Sequence, residues 1–522
     1  MNTDSHYPSD LRDEEGLLPI PMLIGLLAIL ALLLSGCSVG PDYKRADLGP
    51  EVQTPAAFTE GAAPAKEAAP ADALAKGTWW TVFNDPALND LEAQAAASNQ
   101  NLKAAVSRVD QARALTKVAK SQLLPTVDFN PSGSIYRLPD NKSTTAPGLQ
   151  SNVATAQGDL NYEVDLWGRV RRSIEASTAS YQASVADFES VRLALHAEVA
   201  QDYFTLRAAD GEIAILESAI DLRRQSLDLI KARFQAGASN DLDVARAETE
   251  YATAKAALFA VRQNRAELEH GLAVLTGKSV ESFKLAAAPL DKLGLPPAIP
   301  TGVPSELLER RPDVAEAERQ MAAANAQVGV AKAAFFPTVK LTGAAGFQSV
   351  DLGSLVNWSS RMWSVGPSLS LPIFEGGRNT ANLNRAHAAY DETVALYRQQ
   401  VLTSFKEVED SLSGLRNLSG QAEAEASAVT ASQRSSTLSD LRYRNGSATY
   451  LDVIDSERSA LDTQRAAIQT LGQRYVASVR LIKALGGGWS ESALATTPAT
   501  ASTTPSEPSS NPASTTVAQA DR

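Results

Sequence analysis

The chain has 522 residues, a formal net charge of −12 at pH 7 and 44% hydrophobic residues. This acidic balance provides no basic surface for binding nucleic acid. With one cysteine and four histidines, the chain has too few ligands to favour an intramolecular disulfide or a structural zinc site.

The only cysteine, Cys37, follows an apolar run. Residues 17–34 are almost wholly apolar and the small residues "SG" come next, which is the pattern of a secretory signal peptide with its cleavage site. The stretch "LSGC" resembles the bacterial lipobox. That resemblance implies a signal peptide over 1–36, a diacylglycerol on Cys37 and, because Ser38 follows, sorting to the outer membrane. A permanent membrane anchor and a buried core thiol are the alternatives.

Both ends of the mature chain have low-complexity composition. Residues 37–78 are predicted to be a lipidated tether, since 46–77 are rich in Ala, Pro and small polar residues. Residues 489–522 are rich in Ser, Thr, Pro and Ala and are predicted to be a disordered tail.

The rest of the chain contains one unit twice. "ARFQAGASNDLDVARAETE" at 232 matches "LRYRNGSATYLDVIDSERS" at 441, so that Gly237 falls on Gly446, 209 residues later. "LLPTV" before the first strand pair likewise matches "FFPTV" before the second. The pattern predicts a tandem duplication with repeats over 79–297 and 298–488, each formed by a helix, two strands and two long helices.

Apolar and polar residues alternate after each "PTV", which predicts two strands per repeat, the last of them running to Ile373. We expect one face to line water and the other to meet lipid, because strands of about 10 residues cross a bilayer when tilted. A soluble, half-buried sheet is the alternative. The expected water-facing positions are Ser132, Asn161, Thr342 and Ser368; the expected lipid-facing ones are Phe129, Tyr162, Leu341 and Leu369.

Four strands cannot close a membrane barrel, which needs about eight. Closure therefore requires more than one chain.

After the strands the apolar spacing changes to threes, fours and sevens. This spacing is found from Val185 to Phe234, and no proline occurs from Arg169 to Gly237, which predicts a coiled-coil helix of about 65 residues and about 100 Å. Gly237 and Gly446 are expected at the turns of two antiparallel helical hairpins. The predicted fold class is α+β, with an antiparallel four-stranded sheet and a long helical coiled-coil region.

Two acids follow the second turn. Asp452 and Asp455 are three residues apart, so both face one side of a helix. At the tip of a hairpin in a symmetric oligomer, each would form a ring of carboxylates that admits and binds cations. A solvated helix face is the alternative interpretation.

The chain resembles the TolC-like outer-membrane efflux factors, in particular the lipoprotein branch of resistance-nodulation-division pumps, the NodT family. The resemblance rests on "GPDYKR" after the lipobox, "WWTVFNDPALNDL", "ERRPDVAEAE", "FFPTV" and "LRYRNGSATYLDVIDSER", and covers 37–488. It implies a homotrimer with a 12-stranded outer-membrane barrel and a 12-helix barrel through the periplasm. The implied partners are a periplasmic adaptor, an inner-membrane pump and outer-membrane lipid, without a cofactor.

The resemblance also implies roles for residues near the hairpin tips. Leu451 matches an apolar ring beside the gate acids Asp452 and Asp455. Two further residues, Arg442 and Tyr443, match those that tie the second hairpin to Asp243 on the first. Some family members have an arginine where this chain has Ala448, so fewer ties are expected here.

No catalytic pattern occurs in the sequence. His196, His270 and His387 are scattered over predicted helices, where surface or seam positions are expected, and neither GxSxG nor GxxxxGK[ST] is present. The predicted function is passive conduction of small molecules from an inner-membrane pump. A type I secretion duct for proteins and a non-conducting structural lipoprotein are the alternatives.

Overall fold

The computed structural model describes residues 38–49, 58–60, 77–137, 150–299 and 307–490. The predicted signal peptide over 1–36, Cys37 and residues 491–522 lie outside the described residues. Within the described part of the chain, no helix combines the length and the apolar character needed to cross a bilayer.

The elements follow the predicted order in both repeats, except that two helices instead of one precede the first strand pair. The first series is α1 (Pro86–Ser98), α2 (Gln100–Ser121), β1 (Thr126–Arg137), β2 (Gln150–Val164), α3 (Arg169–Gln235) and α4 (Asp241–Leu275). The second is α5 (Pro312–Ala333), β3 (Thr338–Ser349), β4 (Arg361–Ser370), α6 (Arg378–Arg444) and α7 (Tyr450–Ala484). In both, a 67-residue helix is followed by a 35-residue helix. A 67-residue helix is about 100 Å long.

The two hairpin turns have the same backbone geometry. Gly237 and Gly446 have φ of 74° and 72°, a region that glycine enters without steric cost. The amides of Ala238 and Ser447 donate to carbonyls five residues earlier, which ends α3 and α6 in Schellman motifs. The sequence match between the two turns therefore reflects one repeated chain reversal.

All four strands form one antiparallel sheet in the order β1-β2-β3-β4. Asn161 lies opposite Thr342, and Tyr162 opposite Leu341. Because directly opposed residues point to the same side, the full register places the four predicted water-facing positions on one face and the four predicted lipid-facing positions on the other.

The last strand is shorter than predicted. β4 ends at Ser370, and Leu371 and Ile373 lie beyond it, with Ile373 92% exposed. Pro372 lies between them and has no backbone N–H to donate to a ladder. The alternation of apolar residues in the sequence therefore extends beyond Ser370, where the hydrogen-bonded ladder ends.

The largest buried cluster lies where α1, α3 and α7 meet. It includes Trp79, Leu88, Phe204 and Tyr475, and the rings of Phe204 and Tyr475 are 4.5 Å apart. Part of the predicted seam of α3 is buried in this cluster, and further members are buried in smaller clusters nearer the hairpin turn, but the last member, Phe234, is 44% exposed. In the single chain the neighbouring helices do not cover Phe234, so the predicted seam is not buried at this position.

Candidate functional site

The predicted gate residues lie on the first two turns of α7, at the hairpin tip. Leu451, Asp452 and Asp455 are exposed, whereas Val453 and Ile454 between them are buried. The buried pair packs in a small cluster with Leu227, Ile230 and Tyr450. The two acids and the leucine thus occupy the side of α7 that faces away from this chain's own core.

Asp452 is bound by the residue that caps its own helix. The backbone N–H and the hydroxyl of Thr449 both donate to Asp452 Oδ2 at 2.8 Å, and the Asp452 amide donates to Thr449 Oγ1 at 3.3 Å. This reciprocal arrangement is a capping box. The hydroxyl of Thr449, followed by its backbone amide, lowers the pKa of Asp452. The carboxylate therefore stays charged at a lower pH than an ordinary aspartate.

On the first hairpin, Asp243 is occupied by local partners. Its Oδ2 accepts hydrogen bonds from Asn240 at 3.1 Å and Ser239 at 3.5 Å, and its Oδ1 lies 3.5 Å from the Arg246 guanidinium. Asn240 is the N-cap of α4, so the carboxylate of Asp243 folds back onto the start of its own helix.

On the second hairpin, Arg442 donates to the Ser447 carbonyl at 3.4 Å. The Tyr443 ring packs 5.6 Å from the Tyr450 ring, with the Arg233 guanidinium 4.8 Å from its centroid. Across the described residues, no hydrogen bond or ion pair joins Arg442 or Tyr443 to Asp243. The predicted ties are not formed in the single chain and stay a prediction for an assembled channel.

Two ion pairs join the hairpins where sequence reasoning expected none. Glu250 of α4 accepts from Arg458 of α7 at 2.8 Å, and Glu212 of α3 accepts from Arg465 of α7 at 2.8 Å. Both glutamates are buried. A charged residue within a predicted apolar interface was the only sequence signal, and it does not identify a partner 208 or 253 positions away.

His196 is buried at the interface between α3 and α1, which is one of the two positions that the sequence predicted. It is buried beside Glu92 of α1, with Nδ1 2.6 Å from the carboxyl, and its ring lies 4.3 Å from that of Trp80. Burial lowers the pKa of His196 to about 4 and raises the pKa of Glu92 well above its ordinary value. The pair therefore holds α1 against α3 without net charge. In the described ranges, no group of three or more metal-ligating side chains occurs.

The two faces of the sheet differ in chemistry. On one face Asp159 accepts from Asn130 at 2.7 Å and from Gln157 at 2.8 Å. On the other, Phe129 and Trp363 are 70% and 75% exposed in the single chain. A soluble protein rarely leaves such an apolar face open, so this face requires a covering of lipid or of protein.

The first described residues lie at the junction between sheet and helices. The Val39 amide donates to the Trp167 carbonyl at 3.0 Å, just after β2 ends, and Asp42 pairs with Arg172 of α3 at 2.7 Å. The Tyr43 hydroxyl donates to Glu318 of α5. Residue 38, next to the predicted lipidation position, therefore lies beside the end of the sheet that adjoins the long helices.

The predicted tether is partly built into the body. Arg398 donates to the Asp47 carbonyl at 2.9 Å, Phe58 is buried beside Val408, and the Thr59 amide donates to Glu409 at 2.7 Å. The interpretation of 46–77 as a free tether is therefore wrong for residues 46–49 and 58–60. Their Ala- and Pro-rich surroundings concealed these contacts.

Known proteins resemble the chain over most of its length. The family model described as "Outer membrane efflux protein" matches residues 91–278 and 303–487. The antibiotic efflux pump outer membrane protein ArpC of Pseudomonas putida and the outer membrane protein OprJ of Pseudomonas aeruginosa are each 34% identical to it, over 466 and 478 residues. Each alignment covers 89% of this chain and 95% of the relative.

Among solved structures, the outer-membrane channel OprN superposes with a TM-score of 0.79 at 32% identity, covering 87% of this chain and 100% of that one. The fold, the matched segments and these relatives agree, and the chain belongs to the outer membrane efflux protein family.

Proposed function

We propose that three copies of this chain form the outer-membrane exit duct of a tripartite pump. The family is one of non-enzymatic outer-membrane channels. The trimer is our own proposal, and the observation that supports it most is a sheet with a polar face, an exposed apolar face and two free edges, β1 and β4.

The edges favour closure by several copies. Backbone groups in a bilayer must all be hydrogen-bonded, so an open sheet cannot remain in lipid. Four strands fall short of the eight that the smallest barrels use, whereas three copies provide twelve. The apolar face would then meet lipid, and the polar face would line a water-filled lumen. In this assembly the repeats over 79–297 and 298–488 would alternate around the axis.

We assign the periplasmic mouth to the hairpin tips. In a trimer, the outward side of each α7 tip would face the axis, so that Leu451, Asp452 and Asp455 would form successive rings around the pore. Rings of carboxylates select for and bind cations. The ties from Arg442 and Tyr443 to Asp243 would form in the closed trimer, and Ala448 supplies no additional tie.

The proposed partners are a periplasmic adaptor and a resistance-nodulation-division pump in the inner membrane. Relatives are named as outer membrane proteins of antibiotic and toluene efflux pumps. We therefore propose drugs and toxic small molecules as cargo, selected by the pump. There are two alternatives to this function. A type I secretion duct for proteins would have the same fold, whereas a non-conducting envelope spacer would have no water-filled lumen.

We also propose lipid on Cys37. Val39 and Asp42 contact the chain just after β2 and at the start of α3, which supports the proposal, because a lipid attached shortly before them would lie near the end of the sheet. Each buried CH₂ contributes about 0.8 kcal/mol, so several acyl chains anchor stably. The intact mass of the mature protein measures this modification directly: addition of acyl chains supports it, and an unmodified Cys37 overturns it.

Thiol labelling separates the duct from a spacer with a soluble sheet. In cells expressing Thr342→Cys, a membrane-impermeant maleimide should react from the lumen, whereas Leu341→Cys next to it should be protected by lipid. The paired design controls for strand position, since the two residues are adjacent and differ only in face. Equal labelling of both would contradict a lipid-covered barrel.

The capping box predicts a pH effect on cation block. Thr449 lowers the pKa of Asp452, so this carboxylate should keep its charge as the pH falls through the ordinary aspartate range. Thr449→Ala removes the hydroxyl bond, and block of the current by a trivalent cation should then disappear at a higher pH than in the wild type. Thr449→Ser, which keeps the hydroxyl, is the control. Identical block curves for the alanine variant and the wild type would exclude the assignment of Asp452 to the cation-binding site at the mouth.

A further inference from the structure

Glu250 joins three long helices through one buried carboxylate. Its Oε1 accepts from Arg458 Nε of α7 at 2.8 Å, and its Oε2 lies 3.3 Å from Arg223 Nη2 of α3. The Arg223 guanidinium also donates to the Glu250 carbonyl at 3.0 Å. Because α3 and α4 form the first hairpin and α7 belongs to the second, this carboxylate is shared between the two hairpins.

The cluster lies directly behind the hairpin tips. Glu250 is nine residues into α4 and Arg458 eight residues into α7, which is about 12–14 Å from each helix start at 1.5 Å per residue. Between the cluster and the tips are Val453 and Ile454, whose burial fixes the rotation of α7. The rotation of α7 in turn determines where its exposed acids point.

The two arginines of the cluster differ in burial. The Arg223 side chain is 7% exposed and bonds only within its own hairpin, whereas the Arg458 side chain is 52% exposed. Loss of Arg458 leaves Glu250 still paired with Arg223, so no buried charge is left without a partner. Loss of the Glu250 carboxylate would remove the ion-pair partner of the buried Arg223 guanidinium. The bond from Arg458 is therefore the one that solvent can replace when the hairpins separate.

We propose that Arg458 and Glu250 form a releasable latch that positions the gate-bearing helix α7 against the first hairpin, in place of the local ties that the single chain does not form at Asp243. This inference rests on the proposed function. Any motion that moves α7 away from α4 at this level has to break the Arg458–Glu250 pair. Arg458 is a positioning residue, since it acts on the pore through the orientation of α7.

The test is single-channel recording of purified trimers in planar bilayers without multivalent cations. Arg458→Ala should raise the ratio of open to closed dwell time about tenfold, as expected for loss of a charged hydrogen bond. Arg458→Lys, which keeps the charge, should restore most of the closed state. Trivalent block should persist in both variants, because Asp452 and Asp455 are retained.

The matched control is Arg262→Ala. Arg262 of α4 pairs with Glu217 of α3 at 2.7 Å, so it has the same chemistry and similar exposure but lies within one hairpin. This variant should gate as the wild type does. Arg458→Gln is a second variant that keeps most of the side-chain volume if the alanine variant does not assemble.

The outcomes separate the latch from the duct. Wild-type currents that a trivalent cation blocks, with unchanged gating in Arg458→Ala and Arg458→Gln, overturn the latch alone. Equal opening in Arg262→Ala also overturns it, since any lost ion pair would then suffice. A wild-type protein without current in any recording overturns the proposed function and the latch with it.

Discussion

An Asp452→Asn, Asp455→Asn double variant should lose most of its block by a trivalent cation while still conducting in its absence. In the proposed trimer, each chain contributes both carboxylates to the mouth, and crowding them in a narrow pore favours a multivalent cation. Amides keep the size of the side chains but remove their charge. We expect the blocking concentration to rise about tenfold or more, which corresponds to about 1.4 kcal/mol of lost binding free energy.

The control for this experiment is Asp462→Asn. Asp462 is exposed on the same helix, seven residues beyond Asp455 and thus about 10 Å farther from the tip. This variant removes one carboxylate per chain at a place that should not constrict the pore, so its block should match that of the wild type. Unchanged block in the double variant would remove Asp452 and Asp455 from the mouth.

A charge on the apolar face of the sheet should prevent assembly in the membrane. Val365 lies in the middle of β4 on that face and is 68% exposed in the single chain. Val365→Arg would place an arginine in lipid, which costs about 2–4 kcal/mol near the bilayer midplane for each copy. Since three copies share the barrel, we expect little or no trimer in the outer-membrane fraction.

The neighbouring Ser364→Arg serves as the matched variant. Ser364 lies on the polar face, opposite Ala344, and its substitution adds the same side chain one residue away. This variant should assemble and reduce the cation preference of the pore. If Ser364→Arg failed to assemble and Val365→Arg assembled normally, the two faces would be inverted, because a shift of one residue exchanges them.

Periodicity was sufficient to predict the elements and the two faces of the sheet. Alternation identified strands whose register pairs Asn161 with Thr342, and the spacing of apolar residues identified α3 over its whole length. These properties depend on backbone repeats, which a local pattern reveals. Ile373 shows the limit: its side chain fits the alternation, but Pro372 cannot donate to the ladder.

Pairings between distant residues were not predictable from the pattern. His196 and Glu92 are 104 positions apart, and Arg458 and Glu250 are 208 positions apart, so no local spacing indicates either contact. At Asp243 the reason is competition: Asn240 offers a nearer donor than any residue of the second hairpin. Burial and proximity determine these bonds, and both arise only when the hairpins pack.

The docked N-terminal segment was missed for another reason. Composition is an average over many residues. Because residues 46–77 are rich in Ala and Pro, their composition predicted a linker for the whole segment. The contacts of its described residues come from single groups, such as the Phe58 side chain beside Val408 and the Thr59 amide on Glu409.

The most direct test of the duct is the current through purified wild-type protein in a planar bilayer. We predict discrete conductance steps with a preference for cations, blocked by a trivalent cation added on the side of the hairpin tips and unaffected by its addition on the opposite side. Protein that inserts as a trimer yet carries no current at any voltage, or current blocked equally from both sides, would contradict a duct gated by Asp452 and Asp455.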